Sequence, residues 1–128
     1  MNTQQLALQS ENGSPFWEIK ILLVETSRSV IRLVEKVFEE TTTGYFLHKI
    51  DNIHDLNFEL EYKKPDVIIS GRNMHVFRGT DVLNKVQLLA PEIPVIILVT
   101  DFNAIENTDL VNQGAYDIIY HSELNRLP

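Results

Sequence analysis

The chain has 128 residues and no cysteine, which excludes disulfide bridges and thiolate metal sites. Long apolar runs are also missing, since the longest, VIILV at residues 95–99, is far too short to cross a bilayer. The N-terminal stretch lacks both the positive segment and the apolar core of a signal peptide. These absences predict a cytoplasmic protein that does not enter a membrane.

Basic residues are few as well. The chain has 11 lysines and arginines against 18 acidic residues, for a formal net charge of −7. An acidic surface repels the phosphates of DNA and RNA, so we expect no direct binding to nucleic acid. The length and the 44% hydrophobic content are enough for one domain with its own core.

Two kinds of apolar pattern alternate along the chain. Short β-rich runs predict five strands, at residues 19–24, 45–50, 67–70, 95–100 and 116–120. Apolar residues at helical spacing predict four helices, one after Ser27 and the others at residues 52–63, 80–90 and 103–113. The polar residues 1–18 are interpreted as an N-terminal tail, which leaves 19–128 as the domain.

The alternation of strands and helices predicts βαβ units and a parallel sheet with right-handed crossovers. The expected fold class is α/β, a flavodoxin-like, doubly wound sheet of five parallel strands in the order 2-1-3-4-5. Ligands of such sheets lie beyond the carboxyl ends of the strands. The residues delivered there are Glu25, Thr26, Gly71, Arg72, Asn73, Thr100, Asp101 and His121.

Four stretches of the chain follow one another at separations typical of one family. They are ILLVET at 21–26, PDVIISGRNM at 65–74 with Gly79 after it, PVIILVT at 94–100 and GAYD at 114–117. Together they resemble the receiver domain of bacterial response regulators, the CheY-like superfamily, over residues 20–122. The resemblance implies a role in two-component or phosphorelay signalling.

The departures from that pattern fall on the residues of the phosphorylation pocket. Gly71 stands at the position of the phosphoacceptor aspartate, Thr26 replaces one of two acidic metal ligands, and His121 aligns with the phosphoryl-pairing lysine. Only Glu25 and Thr100 match. Aspartyl phosphorylation needs a carboxylate nucleophile, a metal and a cation, and Glu25 alone is a poor magnesium ligand set. The sequence therefore predicts a degenerate pseudo-receiver without catalytic residues, bound metal or cofactor.

We expect such a domain to act through protein–protein interaction rather than phosphorylation, with a histidine kinase, an output domain or another signalling protein as partner. The resemblance implies a partner surface on the fourth helix and fifth strand, around Asn107, Asp109, Asn112 and Tyr120. The sequence also allows a homodimer. Two alternative functions also stay open: a flavodoxin-like domain that binds a small ligand or anion at the hydroxyl-rich loop 25–29, and an atypical receiver that is still phosphorylated.

Four local expectations complete the sequence-based interpretation. The domain is expected to be truncated before a fifth helix, which would leave half of one sheet face bare unless the tail or a partner chain fills it. Gly71 is interpreted as an acceptor lost without replacement, in preference to a backbone position that needs close approach or positive φ. Ser70 should face the core on the opposite side of the strand from Gly71. Glu25, Asp101 and His121 are interpreted as solvated loop residues in preference to a metal site.

Overall fold

A computed structural model of the chain describes residues 18–41, 44–99 and 104–121. Five parallel strands form a single sheet in the order β2-β1-β3-β4-β5, which confirms the predicted α/β, flavodoxin-like fold. The strands are β1 (Ile19–Val24), β2 (Tyr45–Ile50), β3 (Val67–Gly71), β4 (Val95–Val99) and β5 (Asp117–Tyr120). The helices are α1 (Arg28–Glu39), α2 (Ile53–Phe58), α3 (Gly79–Leu89) and α4 (Ala104–Asn112).

Strand β3 is one residue longer than the sequence predicts. Gly71 pairs with Leu98 of β4, so the ladder continues through the glycine to the carboxyl end of the sheet. A glycine weakens a strand but does not forbid it, and here the neighbouring strand supplies the pairing. The position of the missing acceptor therefore lies on the sheet itself and not in the loop after it.

Helix α1 begins where the sequence predicts. The Ser27 side chain accepts a hydrogen bond from the backbone N–H of Val30 at 3.4 Å and caps the helix. Val30, Val34 and Phe38 lie on its buried face at helical spacing. The helix thereby covers the side of the sheet that carries Ile21 and Leu23 of β1, fixing the loop between β1 and α1 above the ends of the strands.

The second helix differs from the regular helix predicted for 52–63. Asn52 caps its start by accepting a hydrogen bond from the N–H of Asp55 at 2.8 Å, but from Glu59 the helix widens into a π-helical segment (Glu59–Lys63). The N–H of Lys64 donates to the carbonyl of Glu59 at 2.8 Å and closes the wide turn. Lys64 precedes Pro65, which disfavours the right-handed helical conformation, and it adopts a left-handed φ of 49°.

The core consists of two clusters, one on each face of the sheet. One cluster joins α2 and α3 to the sheet and also contains Leu110 of α4, while the other joins α1 to the opposite face. Leu98 and Ile119 belong to the second cluster and are 1% and 3% exposed. Both side chains are therefore packed within the single chain, while the expected truncation before a fifth helix stays a prediction. Residues 1–17 of the predicted tail lie outside the described residues, and so do residues 122–128.

Within the part of the chain that the structure describes, no helix combines the length and the apolar character needed to cross a membrane.

Candidate functional site

A cleft of about 180 Å³ lies at the carboxyl ends of β1, β3 and β5. Of the residues predicted for the pocket, it brings together Glu25, Gly71 and His121, which come from three different strand ends. Its further lining residues are Ser27, Val30, Arg72, Asn73 and Leu98. Thr100 and Asp101 lie outside the described residues.

Glu25 is buried at the start of the β1–α1 loop, with 4% of its surface exposed. Its Oε2 atom accepts hydrogen bonds from the backbone N–H groups of Thr26 at 2.9 Å and Ser27 at 3.0 Å. The interpretation of Glu25 as a solvated loop residue is therefore wrong, because the loop folds its own amides around the carboxylate. A buried carboxylate is tolerated when hydrogen bonds replace its hydration, and these two amides do so.

The carboxylate of Glu25 occupies the space beside Gly71. A Cβ atom added to Gly71 would lie 3.0 Å from the Cδ and 3.2 Å from the Oε2 of Glu25, and closer still to Oε1. The φ angle of Gly71 is not positive, so no unusual backbone conformation requires the glycine. The acceptor position is consequently filled rather than simply vacated: an inward carboxylate from the β1–α1 loop stands where a side chain from β3 would begin.

Thr26 connects two loops of the site. Its Oγ1 atom accepts a hydrogen bond at 3.2 Å from the N–H of His75, which lies in the loop between β3 and α3. The residue that replaces a metal ligand thus acts as a hydrogen-bond acceptor between loops 49 residues apart in sequence. The sequence did not predict this contact, because neither residue type nor spacing indicates a hydrogen bond between two irregular loops.

The loop between β3 and α3 closes tightly on the end of β3. Gly79 donates its N–H to the carbonyl of Arg72 at 2.8 Å, and Asn73 forms an isolated antiparallel bridge with Arg78. A Cβ atom on Gly79 would lie 2.7 Å from the carbonyl oxygen of Gly71, a backbone atom that cannot move aside. Gly79 is therefore required by close backbone approach, which accounts for its match to the closing glycine of the resembled loop.

Ser70 lies on the opposite side of β3, where its side chain is completely buried. Its hydroxyl donates a hydrogen bond to the carbonyl of Gly71 at 2.9 Å. The prediction that Ser70 faces the core is confirmed, and its hydroxyl is turned away from the cleft.

The magnesium ion that the family resemblance implies does not fit these residues. Mg²⁺ prefers octahedral oxygen ligands, with carboxylates among them. Glu25 uses Oε2 for two backbone amides, Thr26 receives the amide of His75, and Gly71 has no side chain. Across the described part of the chain there is no group of three or more His, Cys, Asp or Glu residues that could hold a metal.

The four residues predicted for a partner surface lie on α4 and β5. The Nδ2 of Asn107 donates a hydrogen bond to the Tyr120 hydroxyl at 3.3 Å, and Asp109 and Asn112 are exposed along the helix. Asp109 also lines a small cleft of about 120 Å³ together with Arg72 and Arg78. The structure thus brings the predicted surface residues onto neighbouring elements and connects them to the loop after β3.

Comparison with known proteins identifies the family of this fold. The family model described as the response regulator receiver domain matches residues 21–124. A comparison with curated protein sequences finds no match. Among solved structures, the chain is similar to the receiver domain of a putative LuxO repressor protein from Vibrio parahaemolyticus, with 24% identity, a TM-score of 0.74, and 87% of this chain and 85% of that one covered.

Two further structures show the same fold. The phosphorylated cyanobacterial phytochrome response regulator RcpA has 23% identity and a TM-score of 0.72, with 87% of this chain and 89% of that one covered. The Mn²⁺-bound response regulator Rcp1 has 22% identity and a TM-score of 0.73, with 85% and 91% covered. At these identities the likeness concerns the fold alone.

Proposed function

The chain belongs to the family of response regulator receiver domains, and we propose that it is a pseudo-receiver, which signals without being phosphorylated. Receiver domains are modules of two-component signalling that interact with histidine kinases and output domains. In the proposed function this chain keeps the interaction role of the family and has given up the phosphoryl chemistry.

The observation that carries the proposal is the contact between Glu25 and Gly71. The Glu25 carboxylate fills the space in which an acceptor side chain would begin, and two backbone amides hold it there. The site therefore lacks a nucleophile on β3, and the group that takes its place is fixed in a structural role.

Among the described residues that line the cleft, the other parts of the phosphorylation machinery are not found. A transferring phosphoryl group needs a nucleophile, a metal ion and a cation to neutralise its developing charge. Gly71 supplies no nucleophile, the donors around Glu25 do not fit a magnesium ion, and His121 lines the cleft where the resemblance expects a lysine. These three differences affect separate requirements, so replacing one residue would not restore the reaction.

An atypical active receiver would have to use Glu25 itself as the acceptor, since it is the carboxylate beside position 71. Attack on a phosphoryl donor requires a free carboxylate oxygen that the donor can reach. Glu25 is 4% exposed, its Oε2 is held by two N–H groups, and Oε1 packs against Gly71. This geometry favours the structural role over the nucleophilic one.

A second cleft, of about 530 Å³, lies between α1, β2 and α2. It gives little support to an anion-binding function. Arg28, Arg32 and Lys49 line it, as an anion site would require. The same cleft is also lined by the carboxylates Glu25, Glu35, Asp51 and Asp55. Because these acids outnumber the cations, the cleft is not suited to attract a phosphate-bearing ligand.

Partner binding is then proposed for the surface formed by α4 and β5, around Asn107, Asp109, Asn112 and Tyr120. The exposed Asp109 and Asn112 are available for contact, and the Asn107–Tyr120 hydrogen bond joins helix and strand into one surface. The assignment of this surface rests on analogy with the family, and the contact between Asn107 and Tyr120 supports it.

The proposed function is tested by exposing the chain to acetyl phosphate and Mg²⁺ and measuring the intact protein mass. We expect no mass increase by one phosphoryl group, because position 71 has no side chain and the carboxylate of Glu25, beside it, is buried and held by two amides. A receiver domain with an aspartate acceptor, treated in parallel, establishes that the donor is active.

The Glu25→Gln variant is the matched control, since it keeps the shape of the side chain and removes the carboxylate. Identical, unmodified masses for both proteins support the pseudo-receiver. A phosphoryl adduct on the natural chain that disappears in Glu25→Gln would instead identify an atypical receiver with Glu25 as its acceptor.

A further inference from the structure

Strand β2 ends the sheet within the described part of the chain, and one side of its backbone faces outward. The carbonyls of Gly44 and Ile50 accept hydrogen bonds from β1 and its flanking residue Glu25, so alternate residues of β2 direct their backbone groups toward β1. The backbone N–H and C=O groups of Tyr45, Leu47 and Lys49 therefore point away from the sheet. Among the hydrogen bonds of the described residues, none satisfies these outward backbone groups. An open edge of this kind is a template for another strand.

Exposed aromatic side chains flank the same edge. Phe46 of β2 is 64% exposed, and Phe58 and Tyr62 of the second helix are 52% and 66% exposed. The rings of Phe58 and Tyr62 lie 4.9 Å apart, and Phe46 lines a cleft of about 140 Å³ with Lys63, the neighbour of Tyr62. Aromatic residues that are exposed beside an open strand edge are typical of the core of a protein interface.

The residues of β2 are complementary to their own antiparallel copy. If Leu47 lies opposite Leu47 of a second chain, Tyr45 faces Lys49 and Phe46 faces His48 across the two-fold axis. The outward groups of Tyr45, Leu47 and Lys49 then pair with one another, and no two like charges stand directly opposite. This pairing keeps each face of the sheet continuous, so the two second helices lie on the same side and their exposed aromatics face each other.

Two acidic side chains beside this edge are paired with residues of β2. A net charge of −7 on each copy opposes self-association in general. At this edge, however, Glu35 is paired with Lys49 at 2.7 Å, and Glu59 with His48 at 3.3 Å. Two acidic side chains beside β2 thus have partners on the strand itself, which reduces the repulsion that they would exert on a second copy.

From the open edge, the aromatic patch and the paired charges together, we propose that β2 is a homotypic interface. A second copy of this chain adds its own β2 in antiparallel orientation, with Leu47 on the two-fold axis, and the two sheets become one of ten strands. The interface is independent of phosphorylation and does not involve the cleft at Gly71. The interface lies at the opposite edge of the sheet from β5.

The first experiment measures self-association of the full chain by sedimentation over a concentration series of about 1 μM to about 500 μM. We expect the average mass to rise from one chain to two. Leu47→Pro removes the central outward N–H without touching the bonds to β1, and it should weaken association by at least about tenfold. Val76→Ser alters an exposed apolar residue in the β3–α3 loop and should leave association unchanged.

Phe46→Ser serves as a second variant, because Phe46 is largely exposed and its loss does not threaten folding. It should also weaken association, by removing apolar area that the interface buries. A mass of one chain at every concentration, or a dimer that neither variant weakens, overturns the proposal.

Cross-linking tests the register. An introduced cysteine is then the only thiol, because the natural chain has no cysteine. In the proposed pairing the two Leu47 Cα atoms are about 5.5 Å apart, within the range of a disulfide, so Leu47→Cys should form a covalent dimer under mild oxidation. Phe46→Cys is the matched control: it is more exposed, but its two copies are offset by two residues and too far apart to bridge. Faster cross-linking of Phe46→Cys than of Leu47→Cys would indicate random collision and contradict the interface.

These measurements use no phosphoryl donor, so their failure would leave the proposed loss of phosphorylation untouched. Phosphorylation of the chain would likewise leave the interface as it stands.

Discussion

The carboxylate of Glu25 is a buried charge with two backbone N–H groups directed at one of its oxygens. Its position beside Gly71 makes the two residues complementary, since the glycine leaves room for the carboxylate and the carboxylate fills the room. Glu25 matches an acidic residue of the family pattern, but here its environment gives it a structural task. The loop between β1 and α1 is organised around it.

Gly71→Asp is expected to destabilise the fold. The new Cβ atom would collide with the Glu25 side chain, and two carboxylates would then share one buried space. Overpacking and like-charge repulsion predict a loss of about 1–3 kcal/mol in the free energy of unfolding, measured by urea denaturation. Gly71→Ala is the neutral control, which isolates the steric part of the loss.

A double-mutant cycle with Glu25→Ala tests the cause of this effect. Glu25→Ala alone should cost about 1–3 kcal/mol, because two partly buried amides lose their acceptor. In that background Gly71→Asp should be much less harmful, since the obstructing carboxylate is gone. Strictly additive losses would mean that the two positions do not interact.

At the residue scale the sequence was sufficient to locate the altered chemistry but not to describe what replaced it. The glycine at position 71 and the threonine at position 26 are visible in the motif alone. The inward orientation of Glu25 and the hydrogen bond from His75 to Thr26 depend on how two loops fold against each other. Loop side chains carry no periodic signal, so their direction could not be predicted from spacing.

The second helix is the element whose internal geometry differs most from the sequence-based expectation. Its apolar residues Leu56 and Leu60 are both buried, as helical spacing predicts. The widening from Glu59 to Lys63 has no signature in that pattern. It accompanies the exit of the chain at Lys64, where Pro65 prevents the helix from continuing.

Lys64→Gly is expected to stabilise the protein. A left-handed conformation costs a residue with a Cβ atom about 1–2 kcal/mol, whereas glycine adopts it freely. After the greater unfolded-state entropy of glycine is subtracted, a gain of about 0.5–1 kcal/mol remains, measured as a higher urea midpoint at unchanged slope.

Lys63→Gly is the matched control for this substitution. Lys63 is exposed and lies within the π-helical segment, so glycine there should lower the midpoint rather than raise it. If both glycine variants were destabilised equally, the left-handed strain at Lys64 would be refuted.

The order of the sheet could be predicted from the sequence because alternating strands and helices leave few topologies once crossovers are right-handed. The bounds of β1 and β2 also fall where the β-rich runs were found. The coverage of the sheet faces could not be predicted, since it depends on which segments pack where. Leu98 and Ile119, for example, are buried within the chain, and the sequence left open which segment covers their face of the sheet.

Over the whole molecule, the fold of the family is retained, whereas residues of the phosphorylation site are changed. Strands β1, β3 and β4 and the tight turn at Gly79 contain the residues that match the family pattern, and the helices complete both core clusters. At the acceptor end of the sheet, Glu25 fills the space beside Gly71. The proposed partner surfaces, at the β2 edge and on α4 and β5, lie away from this position.

The most direct measurement of this account is a titration of the isotope-labelled chain with beryllofluoride and Mg²⁺, followed through the backbone amide signals of Thr26, Ser27 and Gly71. Beryllofluoride imitates a phosphoryl group on an acceptor carboxylate, so the account predicts no saturable shift at these amides. Saturable shifts at Gly71 and Ser27 that spread to α4 and β5 would contradict it, because they would show a working acceptor site.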